Sequence, residues 1–290
     1  MSRAWQAISS VVLSLVVTGV SAAQELALEI AKSEAERLHQ SSPPSEGNIW
    51  KDIKAVRERS AGLHAAIRDW VESVLPRSRA ALDSEFLLLS PKVNADLRRA
   101  GLFTSDSSGD IFNSRPGSVT QMELSRPTED ADKLVVTAGI DVPCGSDDAV
   151  CIYDYSQGQP RRVLESHGTR DHDESISGVR FSKRDAVGNQ LILTLRYGVQ
   201  CGSSWNMLSY DLFRLSPTAS TAAPILGGNH GIWFGADNPY QLRLESDDLL
   251  MEVCDRSIDG IHNRHMFSIF GHQVPRLKES IRLPCSRRIL

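Results

Sequence analysis

Three short stretches concentrate the side chains that can do chemistry. The richest is Asp255-Arg256-Ser257-Ile258-Asp259-Gly260-Ile261-His262-Asn263-Arg264-His265. An imidazole is the commonest general base near neutral pH, a carboxylate can orient it, and a guanidinium grips an anion through paired N–H donors. His262 or His265 as base, Asp255 as orienting group and Arg264 as anion holder would form a hydrolytic site for an anionic or glycosidic substrate. The same residues also read as a hairpin loop between two β runs, with Asp and Asn side chains closing turns. The second stretch is His167-Gly168-Thr169-Arg170-Asp171-His172-Asp173-Glu174. His167, Asp171, His172 and Asp173 offer nitrogen and oxygen donors for a divalent metal, against the plainer reading of a solvated loop. No other cofactor is expected.

The third stretch, Cys201-Gly202-Ser203-Ser204-Trp205-Asn206, has a Gly followed by two hydroxyls. It lacks the second Gly and the strand-to-helix turn that expose a serine nucleophile. Trp205 and Trp233 remain as aromatic faces that would stack a glycan or a peptide, or else fill a core. The phosphate-binding loop, the dinucleotide glycine fingerprint and the His-Glu-x-x-His motif are all missing from the sequence. Lys and Arg number 32 against 36 Asp and Glu, a formal net charge of −4. The basic residues cluster only as pairs, Arg161-Arg162 and Arg287-Arg288, which argues against a nucleic-acid partner.

The elements that would position these residues fall into two halves. Residues 1–23 have one cation, Arg3, before an uncharged apolar run from Ala7 to Val20, then the small residues Ser21, Ala22 and Ala23. This is the layout of a secretory signal peptide, and the run is shorter than the ~20 residues of a membrane-spanning helix. The expected location is therefore secreted or periplasmic, with no stable membrane span after cleavage. In an oxidising compartment the five cysteines (144, 151, 201, 254 and 285) would tend to pair and leave one over. Cys144 with Cys151, clasping a turn at Gly145-Ser146-Asp147-Asp148, and Cys144 with Cys201 are the rival pairings.

Residues 24–103 read as helical. Gln24–Gln40 carries an amphipathic pattern, and Pro43-Pro44 stops it. Ile53, Val56, Ser60, Leu63, Ile67, Trp70 and Val74 then repeat at steps of three and four, one stripe on one helix face, before Pro76. A third helix is expected to start at Ser90-Pro91, a side-chain cap followed by proline at the first helical position, and to end before Gly101. Residues 104–118 are rich in Ser, Gly and Asp and read as a linker.

From 119 to 290 the period changes from 3.6 to 2, as in Leu134/Val136/Ala138 and Leu191/Leu193/Leu195. About a dozen short strands are expected, joined by turns at Ser156-Gln157-Gly158, Val187-Gly188-Asn189, Ser246-Asp247-Asp248 and Asp259-Gly260. Ser216–Gly228 reads as a low-complexity loop. Val150–Glu165 (VCIYDYSQGQPRRVLE) resembles the outer hairpin of TolB-type β-propeller repeats, a strand ending in Asp, a Gly turn and a Pro-Arg-Arg strand. Val179–Thr194 resembles the strand pair that follows it there, with Phe181-Ser182 but without the Pro of the family's turn. The resemblance covers about 45 residues and implies a propeller-like or sandwich-like sheet; it carries over no catalytic residue.

The 172 residues from 119 onward barely fit four blades of roughly 40–45 residues, and twelve strands make three. The expected fold is α+β: a helical N-terminal segment followed by an antiparallel all-β domain, two-sheet and sandwich-like, or a small incomplete propeller. The first functional expectation is an exported, non-enzymatic protein that binds a partner or ligand, protein or glycan, in the cell envelope or medium. The second is the secreted hydrolase described above. A third gives the helices the main role as a docking element and requires the Leu63–Val74 stripe to be exposed.

Overall fold

The computed structural model describes residues 22–40, 49–103, 117–142, 145–167, 174–199, 205–233, 240–244, 248–254, 261–268 and 276–284. The apolar run of the expected signal and residues 104–116 of the expected linker lie outside these. Among the described residues, helices α1 (residues 22–39), α2 (Ile49–Val74) and α3 (Arg79–Arg99) precede twelve strands. The chain is α+β, with a helical N-terminal segment and an antiparallel β domain.

The stripe read from the sequence is the buried face of α2. Leu63, Ile67 and Trp70 are 0%, 1% and 2% exposed, which overturns the reading of that stripe as a free docking surface. Burying the three removes their apolar surface from water at roughly 25 cal/mol per Å². α1 lies antiparallel to α2: Gln24 Nε2 donates to the Ser73 carbonyl at 3.0 Å, and Glu34 sits over Gly62. Ala31, Ala35 and Leu38 of α1 are buried, whereas Leu26 and Ile30 face outward.

The third helix starts earlier than expected. Ser78 is its N-cap, accepting from the Ala81 N–H at 3.1 Å, and the helix runs through Pro91. Ser90-Pro91 mimics a start signal, but the proline ring lies on the exposed side. There water can bond the Leu87 carbonyl that the missing N–H leaves open. Beyond the C-cap Ala100, Leu102 N–H bonds the Leu97 carbonyl and Gly101 N–H the Arg98 carbonyl, both at 3.0 Å. With Gly101 at φ 73° this is a Schellman motif, closed by the buried pair Leu97 and Leu102.

The strands are β1 (Val119–Ser125), β2 (Lys133–Val142), β3 (Gly145–Asp154), β4 (Arg161–His167), β5 (Glu174–Phe181) and β6 (Gln190–Val199). They continue as β7 (Trp205–Leu215), β8 (Ala223–Trp233), β9 (Tyr240–Leu244), β10 (Asp248–Cys254), β11 (Ile261–Ser268) and β12 (Arg276–Pro284). Hydrogen bonding makes an eight-stranded and a four-stranded sheet. The eight-stranded sheet is two four-stranded antiparallel meanders, β1–β4 and β5–β8, joined by one parallel bridge between Asp147 and Glu174. β9–β12 form the third meander.

Period-2 alternation sends each meander's two faces to different neighbours. Leu134, Val136 and Ile140 of β2 share one core with α2 and α3. Val135, Val150 and Ile152 point the other way and meet Phe181, Ile192 and Leu215 of the second meander. The far side of that meander carries Leu193, Leu195, Leu208 and Leu212, with Leu244 of β9 against it. Helices, first meander, second meander and the start of the third therefore follow one another in space in chain order.

One loop in the reading is a strand, and a second is strand in its latter part. Val142 pairs with Gly145, so residues 145–148 open β3 instead of forming a turn. Gly145 to Cys151 is continuous strand, about 20 Å at 3.3 Å per residue, against the ~7 Å limit between bridged Cα atoms. A Cys144–Cys151 clasp is thus excluded, and Cys151 is a free, buried thiol. Cys144, Cys201 and Cys285 lie outside the described residues, and Cys254 ends β10. Within Ser216–Gly228, β8 begins at Ala223. Its N-terminal part is tied down where Ala222 N–H donates to the Val163 carbonyl of β4 at 2.7 Å.

Candidate functional site

The densest grouping of chemically capable side chains lies on the seam where α2 crosses the β3–β4 hairpin. Arg68 Nη1 donates to both carboxylate oxygens of Glu165, at 2.9 and 3.2 Å. Arg162 donates to Glu72 at 2.8 Å and lies 3.4 Å from Glu165; Tyr153 donates its hydroxyl to Glu72 at 3.2 Å. Burial alone would raise the Glu165 pKa, but the Arg68 hydrogen bond and the charges of Arg68, Arg162 and His167 hold it below its ordinary range. His167 Nε2 lies 3.1 Å from Glu165, at the end of β4. Burial, then the neighbouring His64, depress its pKa, and Glu165 opposes them.

Behind His167 is a cavity of about 20 Å³, lined by His64, Ile67, Val71, Ala149, Cys151 and His167 among others. That is room for one water-sized group. The rings of His64 and His167 meet edge to face, centroids 5.5 Å apart. His64 is 3% exposed, and its Nε2 stands 3.3 Å from Asp147 Oδ2. The contact lies off hydrogen-bond direction, and among the described residues neither ring nitrogen has a hydrogen-bonding partner. Burial pushes the Cys151 thiol up to about 12, so it stays protonated and is a poor nucleophile.

Ser60, His64 and Asp147 have the composition of a hydrolytic triad but not its order. Ser60 donates its hydroxyl to Asp147, the carboxylate that His64 also faces. A nucleophilic serine must instead give its proton to the imidazole, and Ser60 is fully buried. The grouping pins α2 to β3. Two further buried cations are structural in the same sense: Lys133 lies 3.0 Å from Asp154 and 3.3 Å from Asp130, and Arg196 pairs with Asp211 at 2.8 Å and with Ser166.

A second feature is on the outside. At 100° per residue, Ala80, Ser84, Leu87, Leu88, Pro91 and Ala95 of α3 fall within about 100° of arc, and all six are exposed. Leu87 and Leu88 are 85% and 71% exposed, at the middle of the helix. Its opposite side, Leu82, Leu89, Val93 and Leu97, is buried on the sheet. α3 therefore has two largely apolar faces, the outer one carrying Arg98 at its C-terminal end, and among the described residues only the inner face is packed.

The residues singled out from the sequence fall elsewhere. His262, Arg264 and His265 lie within strand β11 rather than a loop, in register with Leu283, Ile281 and Ser280 of β12. Asp255 is outside the described residues, as are Asp171, His172 and Asp173. His167 is brought to His64 and Glu165. Among the described residues no group of three or more His, Cys, Asp or Glu side chains is placed to hold a metal ion. Trp205 and Trp233 are brought together, as directly opposed residues of β7 and β8.

Sequence reasoning missed Arg68, Glu165, His64 and Asp147. The one local signal was polar residues inside an apolar stripe, Ser60 on the α2 face and His64 next to Leu63. Comparison with known proteins assigns no class: no family model matches the chain, and neither a curated protein nor a solved structure matches it.

Proposed function

We propose that this chain is an exported, non-enzymatic protein that binds a protein partner in the cell envelope or medium, and that the outer face of α3 is its contact surface. The observation that carries the reading is the exposed pair Leu87 and Leu88, set among Ala80, Ser84, Pro91 and Ala95. Contiguous exposed apolar surface on a folded protein marks a place of association. An apolar helix face laid against a partner is a common way to use it. Among the described residues no helix is long and apolar enough to cross a membrane, so this face is not part of a spanning segment. The leader-like segment before Gln24 supports export.

Site-specific photocrosslinking in living cells tests the proposal. A photoreactive residue in place of Ser84 is expected to give a discrete cross-linked protein band from the exported fraction. The same probe at Thr218, exposed on the β7–β8 turn of the second meander, which the first meander separates from the helical layer, is expected to give none. Cross-linking that is equal at both positions, or a chain retained inside the cell, would overturn the reading.

A further inference from the structure

The partner that best fits the outer face of α3 is a second copy of the same helix. Along one edge of the stripe run Glu85, Lys92 and Arg99, all exposed, and Glu85 and Lys92 bracket its two leucines. They are seven residues apart, two helical turns, so they lie on the same edge about 10 Å from each other along the axis. The other charges of α3 are largely engaged within the chain. Arg79 pairs with Asp83, Asp83 also with Arg126, Asp96 with Arg99, and the Arg98 guanidinium covers the Phe103 ring. Among the described residues, Glu85 and Lys92 have no such partner.

In an antiparallel pair of identical helices related by a two-fold axis, each edge of one helix faces the same edge of the other. With the axis passing between residues 88 and 89, Glu85 stands opposite Lys92 of the second copy, and Lys92 opposite its Glu85. One self-complementary edge therefore forms two ion pairs. The stripe interleaves under the same operation. Pro91 of one copy falls level with position 86 of the other, into the space between Ser84 and Leu88, and the two leucine pairs meet at the centre. Small residues at Ala80, Ser84 and Ala95 let the helices approach closely, and the helix dipoles oppose each other favourably.

From this geometry we infer that the chain forms a symmetric homodimer through α3, packed antiparallel on Leu87, Leu88 and Pro91 and set in register by reciprocal Glu85–Lys92 pairs. This rests on the reading of α3 as a contact surface and names its occupant. A single pair of 21-residue helices covers less than a standard interface, so the dimer is weak, with a dissociation constant on the order of 10–100 µM.

The test is sedimentation equilibrium of the full exported chain over roughly 1–500 µM, a range bracketing that constant. The wild-type chain is expected to move from monomer to dimer, and Leu88→Asp to raise the dissociation constant at least about tenfold. Glu85→Lys and Lys92→Glu are each expected to weaken association about threefold or more by facing like charges across the two-fold. The double variant E85K/K92E restores the ion pairs with signs reversed and is expected to return to within about twofold of wild type. A merely structural role for either residue would not produce that rescue. A chain that stays monomeric throughout, or a double variant no better than the singles, overturns the dimer. The cross-link from position 84 separates the two failures. A product of twice the chain mass supports the dimer, and a product with a different protein overturns the dimer while keeping α3 as the contact surface. No product overturns both.

Discussion

Arg68 of α2 and Glu165 of β4, 97 residues apart in sequence, meet through two hydrogen bonds from one guanidinium nitrogen at 2.9 and 3.2 Å. Both side chains are 22% exposed. The pair is partly withdrawn from water, and it ties the helical layer to the hairpin it covers. A double-mutant cycle of Arg68→Ala and Glu165→Ala, read by urea unfolding, should give a coupling energy of about 1 kcal/mol. A coupling indistinguishable from zero would show that α2 is held by apolar burial alone.

Gly117 holds the other end of the helical layer. Its φ is 93°, and a Cβ there would stand 2.6 Å from the Ala35 carbonyl oxygen of α1. Gly117→Ala combines left-handed strain with a backbone clash and should destabilise the fold by about 2 kcal/mol or more. The damage should be local first. Hydrogen exchange should show α1 amides losing protection while those of β6 and β7 keep theirs; uniform protection in both regions would refute the contact.

His167 sets a pH response of definite sign. Its folded pKa lies below the 6.5 of a free imidazole, so the unfolded chain binds the extra proton more readily, and stability falls as pH drops from about 7 toward 5. Glu165, held below its ordinary 4.5, acts lower: its contribution is present above about pH 4.5 and is lost as pH falls further. His167→Gln should therefore flatten urea midpoints between about pH 7 and 5 and leave the loss below pH 4.5 in place. Parallel pH curves for the two proteins would remove His167 from this role.

Cys151 gives a chemical check on the β3 register. A thiol buried against α2, with its pKa pushed up to about 12, should resist alkylation in the native chain at pH 8 and react fully in denaturant. Peptide mass spectrometry of the segment holding Cys151 reads this directly. Rapid native labelling, or a disulfide at this position, would contradict the described packing.

The parts of this fold legible in the sequence are those whose periodicity reports burial. The α2 stripe and the alternation in β2 and β6 each face a core, so their spacing carried the element type. Helix α3 departs from its sequence signal because its rule-bearing dipeptide, Ser90-Pro91, sits mid-helix on an exposed face where proline is tolerated, while the true cap at Ser78 follows Pro76 closely. Asp147 and Asp148 read as a turn because acidic residues are common there. In the fold Asp147 faces Ser60 and His64 across the seam, and Ser146 bonds Asp148. The seam itself was not readable, because Arg68 and Glu165 become neighbours only after α2 docks. The exposed face of α3 is hidden in the sequence for the opposite reason: Leu87 and Leu88 have the residue type of a core until the helix is seen to bury its other side.

The layered order of helices and meanders also governs how the molecule is made. Synthesis delivers the chain N-terminus first, so Leu63, Ile67 and Trp70 emerge well before the β2 and β3 residues that cover them; Glu72 and its partner Tyr153 are 81 positions apart. Until that hairpin arrives, α2 is a helix with a bare apolar stripe, the kind of surface that holding chaperones occupy and that aggregates when left free. Once β4 is in place the first unit closes, and each later meander adds to a finished face. Assembly is thus delayed at its beginning and incremental afterwards, and shortening the chain from its C-terminus removes layers in the reverse order of their addition.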